Sequence, residues 1–413
     1  MRSPLATPPT RGTLLPFRHL RALIVLTAAS ACLAFAGSAM AQAPSPVVPD
    51  STRLVAAVAA PDSSLSASPA ASDLGEPKHG PWYYNSLPYG SEALIHPVRL
   101  IINGGFGILQ FDNHDNHLSN VRFRDGWHRV WADLERPVRV IELHGWNDFL
   151  RREVLPISSS KRDAQYWPNY TLHLVGGGMS YVAMREWYEQ HDVPHARMWA
   201  SATLWSYHLL NEVVEADRRP GPTTDAIADL LVFDPAGVLM FSHDGVNRFF
   251  GSTLHLRDWS NQPAIDPVAG TIENQGQNFS IKVAIPSSDH WSVFYYFGNH
   301  GEIGLSYKRP NGSAFSVGGG LKAKDLIDIG DGIQTADLVP SYGIFYDRNG
   351  SLLCSVTAAT SSRYRLRMNV YPGFVRVRGC TAGFFLLLGR RDETIAGVQL
   401  ARIPIGLAGK LHQ

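Results

Sequence analysis

The sequence predicts an α+β protein, a helical bundle of about three helices followed by a C-terminal antiparallel β-barrel of about eight strands. Residues 166–260 repeat apolar side chains at helical spacing. Residues 277–413 carry short alternating runs separated by turn signals. The apolar, glycine-rich run 98–111 reads as an N-terminal strand joined to the barrel.

The chain opens with Arg2, Arg11, Arg18 and Arg21, an apolar run over 22–37, and the small-residue site Ala39-Met40-Ala41. This pattern predicts a secretory signal peptide over 1–41, cleaved after Ala41. The apolar run is short for a membrane anchor. Acylation of Cys32 is disfavoured because Ala29-Ser30-Ala31 lacks the leucine of that motif. A Pro/Ala/Ser-rich tether follows over 42–81, whose composition buries no core.

The segment 82–165 reads as mixed strand and loop. Its polar loop, Asp112-Asn113-His114-Asp115-Asn116-His117, crowds oxygen and imidazole donors. It lacks the spaced acids and glycine of a calcium loop, so it reads as a solvated turn. Residues 137–156 read half as strand and half as amphipathic helix.

The apolar helical region 166–260 divides into three helices. The first covers 172–190 and contains Gly176-Gly177-Gly178 and Ser180, which permit close backbone approach. The second starts after Pro194 and runs to about Ala216. The third starts at a Thr223/Thr224 cap, places Asp225 in its first turn, and bends or stops near Pro235.

In the last region, Phe279, Ile281, Val283 and Ile285 share one face, as do Ile303, Leu305 and Tyr307. Tyr364, Leu366 and Met368 alternate with Arg363, Arg365 and Arg367. In a membrane barrel the first set faces lipid and the arginines face the lumen. A soluble lipocalin-like barrel produces the same alternation with the apolar face inward. Gly409-Lys410-Leu411-His412-Gln413 departs from the aromatic ending of outer-membrane barrels, while the low charge and glycine-rich strands favour the membrane.

Net charge is +1 and charged residues make up 18% of the chain, with no basic block, which argues against a nucleic-acid partner. After leader removal Cys354 and Cys380 remain, either as a disulfide or as two buried thiols. No Cys/His zinc spacing and no cofactor motif is present.

The candidate chemistry is His208, Glu212, Glu215, Asp225 and Asp229. His208 and Glu212 stand four apart, as do Asp225 and Asp229, so each pair shares a helix face. A short Pro/Gly turn sets the two helices side by side as a polar seam. Three readings apply. The side chains ligate metal, although the E-x-x-H pairing of di-metal bundles is absent. Alternatively, His208 or Glu212 serves as a general base on a lipid or peptidoglycan-derived ester, with Ser201 and Ser206 nearby but no nucleophile motif. The reading that the spacing favours is structural, with the acids capping helices and pairing with Arg185, Arg197, Arg218 and Arg219. His173, His191 and His195 read as ordinary histidines, His173 as a hydrogen-bonded core residue.

The stretch 208–237 resembles a small group of bacterial envelope proteins that includes the YfiM-type lipoproteins. Glu212 and Glu215 match its acidic helix, Thr224 its cap, Asp225, Ala228 and Asp229 its D-x-x-A-[ND] element, and Gly237 its glycine. Glu215 departs from the group, which has Asp there. The resemblance implies an envelope location and brings no established activity.

The combined expectation is an exported, outer-membrane-associated protein of a Gram-negative envelope, with a structural or passage role and outer-membrane lipid or lipopolysaccharide as partner. The alternative is a membrane-facing lipid hydrolase that uses the His/Glu/Asp constellation.

Overall fold

The run read as an N-terminal strand is helical. His96 accepts the Val98 N–H on Nδ1 at 3.1 Å and Pro97 fills the first turn, so helix α1 spans Pro97–Gly105. The computed structural model describes residues 80–155, 166–218, 221–328, 334–361, 363–377, 380–389 and 393–412. The predicted leader and the tether up to residue 79 lie outside these, as does the Cys380 side chain.

Eight helices occur among the described residues, against the three expected. After α1 come α2 (Phe123–Glu135), α3 (Pro137–His144) and α4, which spans 146–154 and widens into a π-helical turn at Leu150–Val154. Helix α5 covers 166–190 and is π-helical over Asn169–Gly177. Helix α6 is Ala196–Glu215. Helix α7 is Asp225–Phe241, π-helical over Ala228–Phe233, and α8 is Asp244–Thr253. Helices α5 to α7 are the three that periodicity identified. The others arise from short apolar runs, whose periodicity does not separate strand from helix; caps such as His96-Pro97 decide. Pro235 does not end α7. The wide turns stop just before it, and it occupies the first turn of the regular helix that follows, where its missing N–H costs little.

The barrel is also corrected. Thirteen strands form one open sheet that does not close on itself. They are β1 (Arg257–Asp258), β2 (Ala264–Asp266), β3 (Thr271–Glu273), β4 (Asn278–Ala284), β5 (Trp291–Gly298), β6 (His300–Lys308) and β7 (Ser313–Asp328). The remainder are β8 (Gln334–Arg348), β9 (Ser351–Ala359), β10 (Leu366–Val377), β11 (Cys380–Leu388), β12 (Thr394–Leu400) and β13 (Gly406–His412). Strands β4 to β13 form an antiparallel meander in chain order. β1 pairs with the outer edge of β4, and the β2–β3 hairpin runs parallel to β13. The physical reason lies in these short strands from 257–273. They satisfy the backbone groups of both end strands, which therefore have no need to pair with each other.

The sheet buries both polar and apolar side chains and exposes a row of apolar ones, with Phe294, Phe345 and Phe385 in its buried clusters. Glu302, Ser306, Ser316, Ser341 and Asn369 are buried, whereas Ile303, Leu305, Val317, Tyr342 and Ile344 are exposed. The arginine row is split. Arg367 is buried and donates to the Gln275 carbonyl and to Gln110 Oε1, each at 3.3 Å, while Arg365 precedes β10 and is exposed. Among the described residues no single helix is long and apolar enough to cross a membrane.

Two buried side chains join the parts. Arg99 of α1 donates through Nη2 to the Asn261 carbonyl at 2.8 Å and the Ser260 carbonyl at 3.2 Å. Glu186 of α5 accepts the N–H groups of Trp82, Tyr83 and Tyr84 at 2.7, 2.9 and 2.9 Å. The 112–117 loop is likewise used structurally. Asp112 Oδ1 accepts from Ser361 Oγ at 2.6 Å and from the Arg363 N–H at 3.0 Å.

Candidate functional site

Helices α5, α6 and α7 meet where their backbones come closest. A Cβ on Gly237 would lie 2.9 Å from the Leu174 carbonyl oxygen and 3.0 Å from that of His173. A Cβ on Gly177 would lie 3.2 Å from His208 Cε1. Glycine at these two positions therefore lets α7 and the His208 ring approach α5. The result is a buried side-chain chain of two histidines and two aspartates. His173 contacts Asp229 Oδ2 through Nε2 at 3.1 Å and Asp234 Oδ1 through Nδ1 at 3.1 Å. His208 Nδ1 lies 2.6 Å from the same Asp234 oxygen. The two imidazole rings are 4.1 Å apart between centroids.

The wide helical turns explain why this set is hard to find by spacing. Asp229 and Asp234 are five apart, which places them on different faces of a regular α-helix. The π-helical stretch Ala228–Phe233 has i→i+5 bonding and brings both onto the face that meets His173. His173 itself sits in the π-helical stretch of α5.

His173, His208 and Asp229 of this cluster line a cleft of about 1020 Å³. Its polar wall includes His173, His208, Glu212, Asp225 and Asp229, and its apolar wall includes Phe111, Leu143, Leu172, Leu321 and Leu338. Glu212, Glu215 and Asp225 form a second group whose oxygens lie within 4.8 Å of one another. The α7 start is built as the sequence indicated, with Thr223 Oγ1 accepting the Asp225 N–H at 3.1 Å. Thr224 Oγ1 donates to Glu153 Oε1 at 3.2 Å, which brings a further carboxylate to the cleft.

All five sequence candidates thus reach one cleft. His173 is buried and hydrogen-bonded as expected, yet it is also central to the cluster. Asp234 and Glu153 were missed as members, since one is out of α-helical register and the other lies on a distant segment. Arg185 pairs with Glu189 of its own helix at 3.6 Å, and Arg197 is exposed. The Arg218 side chain and Arg219 lie outside the described residues. Ser206 Oγ donates to the Ala202 carbonyl at 2.6 Å on an exposed face.

Burial pushes the Asp229 carboxyl well above the usual range, and the Asp225, Glu212, Asp234 and Glu153 carboxylates add to the rise. Burial also raises the Asp234 carboxyl, but His208 and the His173 hydrogen bond outweigh it and hold its pKa low. His208 is lowered to about 4, chiefly by burial and further by His173, against the pull of Asp234.

A pH dependence follows from His208. Unfolded, it takes up a proton below its ordinary 6.5; folded, it resists until about 4. Its stability contribution is complete above 6.5 and is lost as pH falls through about 4, a swing of about 3 kcal/mol. Asp229, with its raised pKa, slopes the other way, so the comparison is made against His208→Gln. In metal-free buffer, wild type is expected to lose about 3 kcal/mol more than the variant in denaturant unfolding between pH 7 and 4. Equal losses would refute the linkage.

No family model, curated protein or solved structure matches this chain.

Proposed function

We propose that the protein is an envelope hydrolase that faces membrane lipid and cleaves ester bonds of amphiphilic substrates in the α5–α7 cleft. One observation carries this reading: His173, His208 and Asp229, joined through the buried Asp234, line a cleft that leucine and phenylalanine side chains also line. Such a cavity accepts a polar headgroup at the acids and an acyl chain along the apolar wall.

Asp229 is the acid–base residue. Its Oδ1 is buried and has no hydrogen-bond partner among the described residues, while Oδ2 is held by His173. Oδ1 takes the proton of a water as its oxygen attacks the acyl carbon. The ester C–O bond then breaks, and the same carboxyl returns the proton to the leaving alcohol. Asp234 positions both imidazoles from the other side.

The lipid-facing reading is supported by the exposed apolar row of the sheet and by the helices, which expose Trp127, Trp131, Trp146, Trp199 and Trp205. Tryptophan concentrates at membrane–water interfaces. Glu302, Ser341, Asn369 and Gln399 are fully buried on the polar side of the sheet, which favours an anchoring role for it over passage.

The test is reconstitution of the full chain into phosphatidylethanolamine/phosphatidylglycerol vesicles, followed by mass spectrometry of the lipids. The expected result is release of fatty acid with matching lysolipid. Lipid profiles identical to those of protein-free vesicles would overturn the hydrolase reading, and failure to float with vesicles would overturn the lipid-facing one.

A further inference from the structure

We propose that His173, His208 and Asp234 bind one divalent transition metal of the zinc class, and that Asp229 orients His173 from behind. The proposal deepens the hydrolytic reading by naming what activates the attacking water.

The first argument is geometric. One nitrogen from each histidine and one Asp234 oxygen lie within 4.8 Å of one another, all on buried residues. Tetrahedral ligands around zinc stand about 3.3 Å apart, as its bond lengths of about 2.0–2.1 Å require. The 3.1 Å contact is close to that spacing and the 2.6 Å contact is shorter than it.

The second argument is that hydrogen bonding within the cluster leaves parts unexplained. His208 Nδ1 is 2.6 Å from Asp234 Oδ1 but is not aligned to hydrogen-bond to it. Asp234 is fully buried, yet its Oδ2 has no hydrogen-bond partner among the described residues. A buried, unpartnered carboxylate oxygen costs roughly 1–3 kcal/mol or more. A cation held by the two Nδ1 atoms and by both oxygens of this carboxylate removes that cost.

The third argument is the arrangement behind the ligands. With Nδ1 of His173 on the metal, its Nε2 meets Asp229 Oδ2 at 3.1 Å. A carboxylate on the far nitrogen of a ligating histidine fixes ring orientation and raises basicity. Two imidazoles and one carboxylate suit zinc or iron more than calcium or magnesium, which prefer oxygen alone. Three protein ligands leave a position for water, and both histidines border the cleft. The metal would make a bound water more acidic and a better nucleophile toward the acyl carbon, the water's proton passing to the leaving alcohol as the ester C–O bond breaks.

The experiment needs no lipid, so its outcome is independent of the hydrolase reading. The full chain in detergent is stripped with EDTA, titrated with Zn²⁺ by calorimetry, and loaded with Co²⁺ for X-ray absorption. One equivalent is expected to bind with two imidazole ligands in the shell. Asp234→Asn and His208→Asn are expected to weaken binding at least 10-fold, and Glu189→Gln on the exposed side of α5 to leave it unchanged. An all-oxygen shell, absence of a saturable equivalent in wild type, or loss of binding with Glu215→Gln but not with Asp234→Asn would overturn the proposal. The wild-type shell decides even where a variant does not fold.

Discussion

Asp229→Asn is expected to lower ester hydrolysis by about 10²–10⁴-fold while vesicle binding and circular dichroism stay as in wild type. The substitution keeps size and the contact to His173 but replaces a carboxylate that accepts and returns a proton with an amide that does neither. Assay at saturating Zn²⁺ keeps metal loading out of the comparison. The residue is suited to the role because it lines the cleft, and burial and the Asp225, Glu212, Asp234 and Glu153 carboxylates raise its pKa. Retention of more than a tenth of wild-type turnover would remove Asp229 as the acid–base group. The remaining carboxylates of the cleft, Glu212 and Asp225, would then be tested in turn.

Glu186→Ala is expected to destabilise the protein by roughly 4 kcal/mol, because the truncation leaves three N–H donors without their acceptor. Tyr83 and Tyr84 are among the buried residues of the helical core, so their amides are poorly placed to find water instead. Denaturant unfolding of the variant beside Glu189→Ala, an exposed neighbour, isolates the effect. A loss below about 1 kcal/mol would show that solvent replaces the carboxylate.

Much of the architecture was legible in advance for a local reason. The helical zone 166–260 contains long periodic segments, and α5, α6 and α7 appear where their spacing indicated. The meander of the last region follows from alternation and from turns such as Asn311-Gly312 and Asn349-Gly350, where Gly312 and Gly350 have positive φ. That the meander stays open rather than closing into a barrel was not legible. It depends on β1, β2 and β3, two or three residues each, whose pairing is set by partners elsewhere in the chain. A strand that short carries no periodicity to read.

The candidate site divides in the same way. The sequence by itself determined that His208, Glu212, Glu215, Asp225 and Asp229 lie on two adjoining helix faces, because spacings of three and four are local properties of a helix. Only the tertiary structure decided that the cluster centres on His173 and Asp234. Asp229 and Asp234 share a face through π-helical bonding over Ala228–Phe233, and His173 reaches them because Gly177 and Gly237 admit close approach. Helix widening and backbone contact depend on what packs against each helix, and that information is distributed across the fold.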